Sequence, residues 1–320
     1  EWSVAISRAG DYMLQTWLRL TTPAVTLQAA NGGGNADGRL RWTRNFMHNV
    51  VRECCITFND LVAARFDNYH LDFWAAFTVP AGKRNGYNNM IGSFDDMTGP
   101  SAPGVTIPSF TLNLPLPFFY SRDSGVALPT AALPYNEMRI NFAFRDWNQL
   151  LILENTSAAV LAAGTEQRVA VTAADLVGGA PVLGNTQVWA NYAIVSNDER
   201  KRMACAPRDI LVEQVQTAPR QSFTPATNPQ QSFDVRFSHA IKVLFFSVRN
   251  STSGAEWSNY LTASPVNTGA AVDFSPTGAA DPVLQTSLIY ENTNRLAQMG
   301  SDYFSLVNPY FHSPVIPAET

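Results

Sequence analysis

The sequence is short of cysteine, of charge and of lysine, and each shortage excludes something. Three cysteines occur in 320 residues, an adjacent pair at Cys54 and Cys55 and a distant Cys205. That pattern fits neither a disulfide framework nor a CxxC metal spacing, so a reducing compartment is expected. Charged residues are 15% of the chain, against roughly 25% in ordinary soluble domains. With 46% hydrophobic residues, this excludes a disordered or supercharged chain and suggests an oligomer that hides lateral surface. The formal net charge is -4 and the pI about 5.6, which leaves no cationic excess for phosphates, so no direct nucleic-acid contact is expected. No apolar run approaches the length of about 18 residues that a membrane helix needs. The chain opens Glu1-Trp2-Ser3-Val4, with no Met, basic n-region or apolar h-region, and so reads as a fragment starting within a strand.

Helical periodicity is also scarce, and period-2 alternation takes its place. Trp2, Val4 and Ile6 alternate with polar residues up to Gly10-Asp11, after which Tyr12, Leu14, Leu18 and Leu20 resume, which predicts a hairpin. Met138 to Phe144 and Val188 to Ile194 predict half-buried strands. Phe233 to Val248, with Lys242 the only charge from Ile241 to Val248, predicts a strand in a sandwich core. The only helix predicted with clear spacing is Tyr69 to Phe77, stopped by Pro80, with a second short one over Asn197 to Met203. Long loops rich in the 20 Pro and 19 Gly lie at Asn31 to Gly38, Gly99 to Pro108, Leu114 to Pro117 and Asn267 to Pro282. The pattern suits an all-β antiparallel sandwich of the jelly-roll type. The length is too great for one such sandwich, and the charged stretch Asn197 to Arg208 marks a boundary. Leu151 to Thr156 (LILENT) and Leu288 to Thr293 (LIYENT) differ at one position of six and hint at two related units.

A search for chemistry yields no catalytic, cofactor-binding or metal residue and no cofactor. His48, His70, His239 and His312 stand in no paired spacing. The run Asn31 to Gly38 lacks the Gly-Lys-Ser/Thr of a phosphate loop and reads as a flexible loop. Asp95-Asp96 and Asp123-Ser124 read as turns rather than as a carboxylate pair or an activated serine. Asn155 and Asn250 open formal glycosylation acceptors that, with no secretion signal, are expected to stay unmodified. Arginine outnumbers lysine 19 to 3, a bias toward bidentate pairing that suits interfaces. Seven Trp and 19 Phe supply core and contact anchors. Abundant Trp, Tyr and Asn also admit a rival reading, a carbohydrate-binding or carbohydrate-acting β-sandwich.

The most specific stretch is Leu114 to Trp147, LPLPFFYSRDSGVALPTAALPYNEMRINFAFRDW. Its four prolines fix φ and remove N–H donors, so it should run along edges and turns. Arg122-Asp123-Ser124-Gly125 suits a turn in which the glycine is free to take positive φ. This stretch resembles the major capsid proteins of iridoviruses, within the nucleocytoplasmic large DNA viruses. So do Trp42 to Asn49, Phe58 to Leu61, Gly86 to Gly92, Arg236 to His239, Ile289 to Thr293 and Met299 to Phe304. Arg65 to His70 is similar in appearance to the invertebrate iridescent viruses. The resemblance covers the whole chain and implies an all-β double jelly roll, residues 1–203 forming the first unit and 204–320 the second. It implies that the N-terminal arm and the final strands of the second sandwich are missing, leaving strand edges open. It further implies a homotrimer with pseudo-sixfold symmetry that packs against neighbouring capsomers in an icosahedral virion. Minor capsid proteins and an internal viral membrane are implied as further partners, and the host cell cytoplasm as the place of assembly.

Overall fold

The computed structural model describes residues 1–29, 36–155, 168–224, 227, 229–249, 256–260, 266–267, 272–273 and 282–317. Twelve strands lie in the described part of residues 1–203: β1 (Trp2–Ala5), β2 (Tyr12–Thr21), β3 (Val25–Thr26), β4 (Gly38–Trp42), β5 (Val51–Phe58), β6 (Leu61–Asp67), β7 (Thr106–Ile107), β8 (Thr111–Pro115), β9 (Met138–Phe144), β10 (Leu151–Asn155), β11 (Arg168–Val169) and β12 (Gly184–Ala193). All pairings are antiparallel. One sheet has the order β1-β9-β5-β6, and its partners are β12-β2-β8, β11-β10-β4 and β3-β7. Alternate side chains of these sheets meet in one core, with Leu18, Leu40, Trp42, Cys54, Ile56, Leu114, Ile140, Phe142 and Leu153 all buried. The two half-buried strands expected at Met138 and Val188 are β9 and β12. Pro115 ends β8, an edge strand, where a missing N–H costs no ladder bond.

The expected hairpin of β1 and β2 does not form. β1 pairs with β9 and β2 with β8 and β12, so Ser7 to Asp11 is a crossing between sheets. A Cβ on Gly10 would stand 2.5 Å from Tyr192 Cβ, so the crossing is too close to β12 for any other residue. Arg8 holds it by donating to Leu133 O at 3.0 Å and Asn136 O at 2.5 Å. A turn dipeptide between two alternating runs therefore marks a corner here as readily as a hairpin.

The helices also go beyond the sequence expectation. α1 (Phe46–Val50) precedes β5, and α2 (Asn68–Thr78) is the expected helix, its first turn capped by Asp67 accepting from His70 N at 2.9 Å. Pro80 ends α2 but opens α3 (Ala81–Ile91), with Lys83 N bonded to Pro80 O. Gly82, Gly86 and three asparagines hide α3 from a propensity reading, and it is held by the packing of Tyr87 and Ile91 against the core. α4 (Asp95–Thr98) follows, and α5 (Asn197–Cys205) is the expected second helix, capped by Ser196. Gly125 lies in a short helical turn, Ser124–Val126, and is not among the positive-φ residues. The loop expected at Asn31 to Gly38 falls largely outside the described residues, as do Asn250 and most of Asn267 to Pro282.

Residues after α5 differ. Phe233 to Val248, expected in a sandwich core, runs without a paired strand, with Ile241, Val243, Leu244 and Phe246 exposed. A strand is completed by its neighbours' N–H and C=O groups, and among the described residues no strand pairs with it. Side-chain tethers remain, such as Lys242 to Glu213 at 2.6 Å and Ser238 N to Gln216 Oε1 at 2.9 Å. The described strands here are β13 (Val266–Asn267) with β14 (Val272–Asp273), and β15 (Gln285–Tyr290) with β16 (Thr293–Gly300). A helical stretch Tyr303–Val307 continues into α6 (Asn308–His312).

Candidate functional site

The four histidines do not converge. His239 and His312 are exposed. His70 stacks on Trp74 at 5.9 Å, and burial, opposed by Asp67 and aided by Arg122, lowers its pKa to about 4. His48 is buried, with Nδ1 2.7 Å from Asp72 Oδ1 and Nε2 2.6 Å from the Tyr87 hydroxyl. Burial raises the Tyr87 pKa and keeps that hydroxyl protonated. Asp95 and Asp96 sit in the first turn of α4, where anions are favoured, and Asp123 starts the turn that the sequence predicts. Among the described residues no group of three His, Cys, Asp or Glu could hold a metal ion. The thiols of Cys54, Cys55 and Cys205 are free.

The polar side chains that do converge join the two parts of the chain, around Glu256 to Tyr260. Arg41 on β4 and Glu154 on β10 are 2% exposed and bonded at 2.9 Å, and Arg41 also reaches Glu256 Oε1 at 2.9 Å. Glu256 Oε2 accepts from Asn259 Nδ2 at 3.0 Å. Asp72 on α2 accepts four bonds, from His48 and from Asn45 at 3.3 Å on Oδ1, and from Ser258 at 2.8 Å and Tyr260 at 2.7 Å on Oδ2. Four acceptor sites are the capacity of an ionised carboxylate, so Asp72 is saturated. Trp257 donates to Gln149 O at 3.0 Å and lies under the Arg145 guanidinium at 3.8 Å. A second tether joins Glu213 to Arg122, whose guanidinium lies 4.3 Å from the Trp74 ring centre. No spacing in the sequence announces this junction, because its partners lie up to some 200 residues apart.

A third feature is the outer face of the β12-β2-β8 sheet. Trp17 and Trp189 are register partners and stack at 6.3 Å, with Arg19 5.7 Å from the Trp189 ring centre. Trp189 is 47% exposed. Aromatic rings beside an arginine on a sheet face are a composition that interface centres favour.

These features define an antiparallel jelly-roll subunit whose buried polar groups clamp one part of the chain to another. Residues 1–195 match the family described as major capsid protein N-terminus, and residues 199–320 match the large eukaryotic DNA virus major capsid protein family. The chain belongs to the major capsid protein family of large eukaryotic DNA viruses, and it is a structural protein of a virion capsid, not an enzyme. It is 65% identical to the major capsid protein of Simulium iridescent virus, over 99% of this chain and 67% of the relative. With that of Invertebrate iridescent virus 6 it shares 63% identity over 100% of this chain and 69% of the relative, and with that of Frog virus 3 43% over 100% and 68%. The chain thus spans about two thirds of their length. A quasi-atomic structure of the PBCV-1 virus capsid covers 96% of this chain and 69% of its own at a TM-score of 0.60 and 20% identity, which shows the shared jelly-roll fold.

Proposed function

We propose that the protein builds homotrimeric, pseudo-hexameric capsomers that tile an icosahedral shell, residues 1–203 forming the first jelly roll and 204–320 part of a second. The boundary is supported by α5, which closes the first unit where Arg200 makes two 2.9 Å bonds to Asp11 at the β1–β2 crossing. The observation that carries the reading is family membership over the whole chain, and the exposed Trp17–Trp189 face suits a contact between copies. Partners are other copies and neighbouring capsomers, with minor capsid proteins and an internal viral membrane on the inner side. Assembly takes place in the host cell cytoplasm, and no residue takes a catalytic, cofactor-binding or metal role. Light scattering after size exclusion, on the chain extended to its relatives' length, tests the reading. A mass of three chains is expected, and a monomer at micromolar concentration would overturn it.

A further inference from the structure

We infer that Glu256–Tyr260 is an intramolecular plug that registers the second unit on the first and completes the folding of its receptor. The inference is independent of the capsomer reading. All five residues take part. Glu256 neutralises the far side of Arg41, Trp257 fills the space against Arg145 with its N–H on Gln149 O, and Ser258 and Tyr260 satisfy Asp72 Oδ2. Asn259 holds the second oxygen of Glu256. Ser258 takes φ 57°, a left-handed turn that brings its hydroxyl to Asp72 and lets it accept from Asn49 Nδ2 at 2.8 Å.

The receptor belongs to the first unit: β4 and β10 supply Arg41 and Glu154, α2 supplies Asp72, and α1 with its N-cap supplies His48, Asn49 and Asn45. Without the plug, two lone pairs of a buried carboxylate and one face of a buried guanidinium lose their partners. Such losses are costly in a low-dielectric site. The first unit therefore reaches its native packing at this corner only when the second has arrived. The chemistry of the plug, an acid, an indole, a hydroxyl, an amide and a phenol in five consecutive residues, makes register errors costly, because a shift by one residue mismatches every partner. The plug thus sets where the second unit sits.

Hydrogen exchange of the full chain tests the inference. The variant Ser258→Ala/Tyr260→Phe removes both donors from Asp72 Oδ2. Amides of α2 and of β4 and β10 should then exchange about tenfold faster or more, while those of β2, β8 and β12 keep their rates. Tryptic cleavage after Arg249, whose guanidinium holds Glu256 O at 3.0 Å and the Tyr69 hydroxyl at 3.0 Å, should accelerate in the same variant. Tyr260→Phe alone, which keeps the ring against Phe73, supplies the comparison if the double variant does not fold. Unchanged exchange at α2 and β10, or an equal rise in every strand, would overturn the inference.

Discussion

The words LILENT and LIYENT sit in the two parts of the chain and meet opposite fates. In the first, Leu151–Asn155 is β10, between β4 and β11, with Leu151, Ile152, Leu153 and Glu154 all buried. In the second, Leu288, Ile289 and Tyr290 end β15 on an exposed hairpin, and Glu291 and Asn292 form its left-handed turn at φ 51° and 58°. Nearly the same residues make a central strand where strands pair on both sides and, among the described residues, a two-stranded hairpin where only one does. Burial is a property of the partners, and local sequence carries only the capacity for it.

The largest expected effect probes the charged member of the buried word. Arg41→Ala removes the buried guanidinium that Glu154 and Glu256 share and should cost about 3–5 kcal/mol, seen as a lower urea midpoint. The replacement of Ile152 by Ala should cost about 2–5 kcal/mol, whereas Ile289→Ala, at 63% exposure, should stay within about 0.5 kcal/mol. Equal losses in that pair would break the comparison. A pH series sharpens it from another side. His70 titrates near 6.5 when unfolded and near 4 when folded, so the unfolded chain binds the extra proton between those values. The stabilisation is full above pH 6.5, falls as pH drops toward 4, and amounts to about 3 kcal/mol at most. In His70→Phe that part of the acid sensitivity of the urea midpoint should vanish. A smaller effect than those at Arg41 and Ile152 belongs to the α5 cap: Ser196→Ala should lower the melting temperature by the equivalent of about 1 kcal/mol.

Much of the first unit can be read in its residues. β9 and β12 follow from period-2 alternation, α2 from its spacing and the Asp67 cap, and the edge position of Pro115 from its missing N–H. The β1–β2 crossing was not legible, since a glycine turn between alternating runs reads the same whether the runs share a sheet or change sheets. α3 was hidden by its glycines and asparagines, because tertiary packing rather than propensity holds it. Phe233 to Val248 shows the converse: its apolar pattern is strand-like, yet pattern cannot supply the neighbouring strand. The junction at Glu256–Tyr260 escaped for a different reason. Its donors and acceptors are ordinary residues that become a cluster only through folding, and only the resemblance of motifs across the chain pointed to a capsid family.

The pairing of Trp17 with Trp189 also sets a clock. β2 leaves the ribosome long before β12 exists, and at about 5–20 residues per second the gap is on the order of ten seconds. Until β8 is made both edges of β2 are open, and from then until β12 arrives one edge still is, a template for any passing strand. Non-local closure of this kind makes folding slow and leaves nascent chains dependent on being kept apart. A nascent subunit is therefore most exposed to pairing with its neighbours before β12 closes that edge.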